Sequence, residues 1–210
     1  MAPTASDTGL FVTLEGIDRS GKTTQAKLLC EALGEAALPV REPGGTPLGE
    51  RVRELLKDPA ASIAPAGEAL LFAAARAQLV ADVIRPALAA GKVVVSDRFL
   101  DSSLAYQGAA RGLGVEEVAQ LNRVATGGLE PDVTFLLELD PARAAERAGE
   151  QDRFEEEGAG LQTRVRDAYE ALAAADPARW RRIDADRPSE QVHAELVAAI
   201  EAARAAPALG

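Results

Sequence analysis

The chain has 210 residues, 47% hydrophobic and 27% charged, which suits one globular domain with a sizeable core. Its net charge of −10 argues against a broad nucleic-acid footprint, which needs a basic surface. The single cysteine, Cys30, excludes an internal disulfide, and no apolar run reaches the roughly 18 residues of a membrane-spanning helix. Residues 1–9 are polar, with neither the basic start nor the apolar core of a secretory signal. They are expected to be a flexible tail ahead of a single domain over 10–206, and the expected compartment is the cytoplasm.

The run Leu10-Phe11-Val12-Thr13-Leu14 is apolar and β-favouring, and predicts the first strand. It leads into Gly16-Ile17-Asp18-Arg19-Ser20-Gly21-Lys22-Thr23, which fits G-x-x-x-x-G-K-[ST] without a mismatch. Residues 24–33, starting at Thr24, read as an amphipathic helix. A strand, a glycine-rich turn and a helix N-terminus present backbone N–H groups to an anion, and the helix dipole assists. Lys22 can reach the β- and γ-phosphates of a nucleoside triphosphate, and the Thr23 hydroxyl can take a place on Mg²⁺.

Leu38-Pro39-Val40 predicts a second short strand, followed by a loop of fixed shape at Arg41-Glu42-Pro43-Gly44-Gly45-Thr46-Pro47. Helical spacing resumes over 48–57 and over a long stretch from about 67 to 90, which Gly91 stops. Lys92-Val93-Val94-Val95-Ser96 has the pattern of a strand buried on both faces. Val133-Thr134-Phe135-Leu136-Leu137-Glu138-Leu139 is another such run, and Trp180-Arg181-Arg182-Ile183-Asp184 is a weaker fifth. Helices are expected over about 115–125, 141–147, 160–174 and 189–205. Alternating strands and helices imply an α/β fold: a five-stranded parallel sheet covered on both sides, in the three-layer arrangement of P-loop NTPases. Ligands then bind at the carboxyl ends of the strands. Residues from about 148 to 158 are polar and glycine-flanked, and are expected to form a mobile flap.

The third strand ends in Ser96-Asp97-Arg98-Phe99. An Asp there, beside the phosphate loop, is the natural partner for Mg²⁺, and Arg98 could hold a second phosphate bidentately. At this point the chain resembles thymidylate kinases, which phosphorylate dTMP to dTDP with ATP. Four motifs carry the resemblance in order: Phe11-Val12-Thr13-Leu14-Glu15-Gly16-Ile17-Asp18; Arg41-Glu42-Pro43-Gly44-Gly45-Thr46; Asp97-Arg98-Phe99 with Ser102-Ser103-Leu104-Ala105-Tyr106-Gln107-Gly108; and Asp152-Arg153-Phe154-Glu155. The likeness runs from about residue 11 to 188.

The resemblance implies roles for individual residues. Asp18 accepts from the sugar 3′-hydroxyl of the monophosphate. Arg19 resembles a catalytic arginine in the phosphate loop, and Arg153 one in the flap; the division of labour between them stays open. Phe72 stacks on thymine and Arg76, four residues on, donates to its carbonyl oxygen. Ser103 reads the N3 edge of the base, with Tyr106 and Gln107 as neighbours of sugar and base. The Phe99 ring crowds a ribose 2′-hydroxyl. Arg53 and Arg98 hold the acceptor phosphate, while Arg147 and the 184–188 loop flank adenine. Tyr169 is either a wall of the acceptor pocket or core. ATP and dTMP are thus the expected substrates and Mg²⁺ the expected cofactor, with no nucleic-acid or membrane partner. The long helix is apolar on more than one face, which fits either the homodimer such enzymes form or full burial in the monomer. Two other functions compete: a deoxynucleoside kinase taking thymidine, and a nucleotide-dependent switch with no small-molecule acceptor.

Overall fold

Three runs rich in valine, leucine and phenylalanine form the middle of a parallel sheet. The computed structural model describes residues 9–147 and 158–205. Its strands are Leu10–Glu15 (β1), Ala37–Arg41 (β2), Val93–Asp97 (β3), Val133–Glu138 (β4) and Trp180–Asp184 (β5), in the order β2-β3-β1-β4-β5. β1, β3 and β4 are buried almost throughout, as central parallel strands must be. Side chains alternate across the sheet: Phe11 and Val94 pack with Leu79, Ile84 and Val118, whereas Val12, Leu14 and Val95 pack with Leu29, Val165 and Leu196. Pro39 is tolerated because β2 is an edge strand that pairs only with β3. On the opposite edge, β5 buries Trp180 and Ile183 and exposes Arg181 and Arg182.

The helices follow the predicted order: Lys22–Leu33 (α1), Pro47–Lys57 (α2), Pro65–Leu79 (α3) and Arg85–Ala89 (α4). Then come Leu100–Ser103 (α5), Val115–Thr126 (α6), Pro141–Ala145 (α7), Gly158–Ala175 (α8) and Ser189–Ala205 (α9). The long predicted helix is real but not uniform. A π-helical turn at Val80–Ile84 separates α3 from α4, with the Arg85 N–H bonded to the Val80 carbonyl. Pro86 follows directly; having no N–H and a bulky ring, it disfavours a regular turn over the residues before it. The helical stretch formed by α5 and a second π-helical turn, Leu104–Ala110, was not predicted. Asp101, Ser102, Ser103 and Gly108 are weak helix formers, so tertiary contacts decide here. Chief among them is the buried Asp101, which accepts from Arg179 at 2.7 and 3.0 Å.

Strand register positions the site. Leu14 and Arg41 both pair with Asp97, so β1, β3 and β2 end at one level. Their loops therefore open into one cleft at the carboxyl edge of the sheet. The loop after β2 is pinned by Glu50, which accepts from the Gly45 N–H at 2.7 Å and from Arg41. It then turns into α2 through Thr46, whose hydroxyl accepts from the Gly49 N–H at 3.0 Å ahead of Pro47. Thr46→Ala is expected to cost about 1 kcal/mol and lower Tm by about 2–4 °C in a calorimetric scan, with Thr46→Ser close to the parent.

Candidate active site

β1 runs straight into the phosphate loop, and the chain's close packing there demands glycine. Gly16 has φ +143°, and a Cβ on it would lie 2.6 Å from the Leu137 carbonyl oxygen and 2.9 Å from Ser20 Oγ. Lys22, at the start of α1, is buried; its Nζ donates to the carbonyls of Gly16 (3.0 Å) and Ile17 (2.6 Å) and to Ser20 Oγ (3.2 Å). Burial, together with the neighbouring Arg98 charge, pulls its ammonium down to about 8. Thr23 and Thr24 are exposed on the first turn of α1. The Thr23 hydroxyl donates to Asp97 Oδ2 at 2.5 Å, joining the loop to the end of β3.

Arg98 is the hub of the cleft. Its backbone has φ +71°, a left-handed conformation that a non-glycine residue rarely adopts, and this aims the side chain back over β1. Nη1 donates to the Gly16 carbonyl (3.2 Å), to Ser102 Oγ (3.1 Å) and to Tyr169 OH (3.4 Å). Nη2 donates to Asp18 and to Tyr106 OH (3.4 Å), and the guanidinium lies 5.2 Å from the Tyr106 ring centroid. The second Asp18 oxygen accepts from Gln162 Nε2 at 2.6 Å. Burial would raise the Asp18 carboxyl, but Arg98, Lys22 and Gln162 together hold it below the usual range. Beneath Arg98 sits Glu15, fully buried, accepting from the Phe99 N–H (2.8 Å), Ser102 Oγ (2.6 Å) and Tyr169 OH (2.7 Å). Burial, and the nearby Asp101 charge, push its carboxyl up to about 7.

A cavity of about 420 Å³ opens in front of these groups. Asp18, Arg19, Lys22, Thr23, Asp97 and Arg98 line one side; Arg53, Phe72, Ser103, Tyr106 and Gln107 line the other. Phe72 projects from α3, half-buried against Val52, Leu56 and Ala75. The Arg53 guanidinium donates to the Pro43 carbonyl at 3.0 Å. Arg76 lies behind the wall rather than on it: it is 1% exposed, and donates to Glu42 (2.9 and 2.6 Å), the Phe99 carbonyl (3.2 Å), Ser103 Oγ (3.1 Å) and Asn122. Its route to the cavity runs through Ser103. Arg19 reaches the opposite side of the loop, donating to the Arg147 carbonyl at 3.1 Å, and Arg147 donates to the carbonyls of Arg19 (3.3 Å) and Ala185 (2.8 Å). This contact brings Arg147 beside the 184–188 loop.

The thymidylate kinase family model matches residues 14–196. The thymidylate kinase of Deinococcus radiodurans is 50% identical over 198 residues, covering 91% of this chain and 96% of its own length. That of Pelotomaculum thermopropionicum is 50% identical over 201 residues, covering 92% and 93%. The crystal structure of thymidylate kinase from Ehrlichia chaffeensis superposes with a TM-score of 0.75 at 35% identity, covering 92% of this chain and 99% of that one.

The chain belongs to the thymidylate kinase family.

Against the family expectations, the structure gathers most of the predicted residues and departs at two: Arg76, buried behind the wall on Glu42 and so not on the cavity surface, and Phe99. Phe99 is fully buried, edge-on to Phe11 with ring centroids 4.8 Å apart, so its ring fills the core and does not crowd a sugar in the cleft. Tyr169 does both things weighed for it: its ring is core, packed against Trp180 at 6.3 Å, while its hydroxyl touches Glu15, Ser102 and Arg98. Arg153, and the flap predicted over 148–158 save for its last residue, lie outside the described residues. Five supporting residues have no role assigned from the sequence: Glu15, Glu42 and Ser102, which stand within its quoted motifs, and Glu68 and Gln162, which do not. Glu15 carried a signal, a carboxylate closing an otherwise apolar strand. Gln162 carried none, since only the fold brings it to Asp18, 144 residues away.

The Glu15 environment has a pH signature. A carboxyl raised from 4.5 to about 7 contributes stability that is complete below pH 4.5 and lost as pH rises through 7, because the buried site then holds a charge. Glu15→Gln removes that ionisation. The Tm difference, variant minus parent, is expected to increase from pH 5 to pH 8; a difference independent of pH would exclude the raised carboxyl.

Proposed function

We propose that the chain transfers the γ-phosphoryl group of ATP to dTMP, giving dTDP and ADP, and acts as a cytoplasmic enzyme. Family membership supports the reaction. The observation that carries the geometry is one cavity lined both by the cations Lys22, Arg53 and Arg98 and by the aromatic Phe72. Among the described residues no helix is long and apolar enough to cross a membrane.

The chemistry is one of alignment. A phosphate monoester is already largely dianionic at neutral pH, with a second pKa near ~6, so the acceptor needs no general base. What is required is to hold two mutually repulsive anions in line and to compensate charge during transfer. Lys22 and the loop N–H groups hold the donor phosphates; Arg53 and Arg98 hold the acceptor phosphate; Arg19 stabilises charge on the transferring group. Asp18 accepts from the sugar 3′-hydroxyl, and Phe72 stacks on the base. Thymidine as the phosphoryl acceptor, the competing reading, would need a carboxylate base for its 5′-hydroxyl. The cleft carboxylates are engaged otherwise: Asp18 by Arg98, Asp97 by Thr23, Glu42 by Arg76.

The Thr23 hydroxyl and the Asp97 carboxylate form an all-oxygen pair beside the loop, which fits Mg²⁺. Mg²⁺ commonly takes most of its ligands from water and substrate phosphates, so no protein cage is needed. When bound there it supplies charge neutralisation across the phosphate oxygens. We also infer a homodimer. Leu79, Val80 and Ile84 are buried within this chain, but Leu70 on α3 is 57% exposed and Val124 on α6 is 83% exposed, on two helices packed together.

Steady-state assays with ATP and Mg²⁺ across dTMP, dUMP, dCMP and thymidine are expected to show dTMP as the preferred acceptor and no turnover of thymidine; preferential turnover of thymidine would overturn the reading. Arg19→Ala is expected to lower kcat by about 10²-fold or more with little change in KM for ATP, whereas a loss confined to KM would make Arg19 a binding group only. In sedimentation at micromolar concentration the parent is expected to run as a dimer, and the Leu70→Asp, Val124→Asp double variant as a monomer.

A further inference from the structure

Gln107 lines the base side of the cavity, yet a buried carboxylate behind it decides which end of its amide faces outward. Glu68, near the start of α3, is fully buried. It accepts from Gln107 Nε2 at 2.8 Å and from Arg111 Nε. An ionised carboxylate can only accept, so the Gln107 NH₂ must turn toward Glu68 and the amide oxygen is the end left for the cavity. The opposite flip would set oxygen against oxygen. Ser103, its neighbour on the same wall, accepts from Arg76 at 3.1 Å, which leaves its own O–H proton to donate. The wall thus offers a donor beside an acceptor. Thymine presents the complement, a carbonyl oxygen beside N3–H; cytosine presents an amino group beside an unprotonated N3, and mismatches both.

We infer that Glu68 is a positioning residue for base selection: by fixing the Gln107 amide with its oxygen toward the cavity, it discriminates for an N3–H base and against cytosine. The inference rests on the reading of this cavity as the acceptor-base site. Glu68 itself touches no substrate, because Gln107 stands in front of it. The arrangement selects on N3–H and leaves the 5-methyl group to other parts of the wall, so dTMP and dUMP are treated alike by this device. Arg111 compensates the Glu68 charge from the far side, its side chain only 14% exposed.

The test compares kcat/KM for dTMP, dUMP and dCMP in the full-length parent, in Glu68→Gln and in the double variant Glu68→Gln, Arg111→Gln, which removes the partner charge and keeps the test available if the single change fails to fold. A neutral amide at position 68 permits both orientations of Gln107. The dTMP-to-dCMP ratio is expected to fall about tenfold, the worth of one correctly paired hydrogen bond, while the dTMP-to-dUMP ratio and KM for ATP stay at parental values. An unchanged dTMP-to-dCMP ratio, or an equal loss with all three acceptors, would overturn the inference. A Phe72→Ala variant separates the two levels: if it leaves KM for dTMP at the parental value, the cavity is not the base site and the inference falls with that reading. If KM for dTMP rises in Phe72→Ala but Glu68→Gln leaves selectivity intact, only the role of Glu68 falls.

Discussion

The ion pair between Arg98 and Asp18 is the contact on which the cleft depends. Several cations share a small, partly desolvated volume, and without fixed acceptors their repulsion would drive them apart. Arg98 avoids this by spreading its donors over a carboxylate, a backbone carbonyl and three hydroxyls, from the phosphate loop, α5, the π-helical turn after it and α8. Glu15 anchors two of those hydroxyls from below. The left-handed backbone at Arg98 is held by its own N–H donating to the Leu14 carbonyl at 3.1 Å and by Ser96 Oγ donating to its carbonyl at 2.6 Å, an instance of local strain maintained where geometry matters for function. Lys22 is treated similarly, its ammonium enclosed by carbonyls of its own loop.

Much of this could be read from the chain. The three central strands announce themselves because burial on both faces forces continuous apolar runs, and the phosphate loop because its glycines and lysine are needed at fixed spacing. Thr46 and Pro47 mark the start of α2 by ordinary capping chemistry. Arg98 and Asp97 stood out because charged residues close a buried strand. The unpredicted stretch over α5 and the following turn shows the opposite case. Its serines, aspartate and glycine disfavour a helix locally, and the bonds that overrule them come from Arg179 and Glu68, 78 and 39 residues away from Asp101 and Gln107.

Phe99 and Arg76 illustrate a second kind of gap. Motif spacing brings a residue to the right part of the fold but does not say which way its side chain turns. Phe99 turns into the core beside Phe11, and Arg76 turns to Glu42, so one polar layer sits behind another. Buried polar networks of this kind fix rotamers that a lone side chain at a cavity wall would leave free. Nothing in the spacing of Glu42, Glu68 or Gln162 betrays the backing role, because each pairs with a partner distant in the chain.

Asp18 shows what such wiring entails. One of its oxygens faces Arg98, and the other is gripped by Gln162 on α8 while its own N–H donates back to the Gln162 side-chain oxygen at 3.1 Å. A single residue of the donor-binding turn is thereby clasped to the helix that follows residue 157. Whatever ligand displaces one partner of this clasp must alter the hold of the other. Free energies around a closed cycle are conserved, so the help one nucleotide gives the second is returned in equal measure, and order of arrival becomes a matter of rate alone.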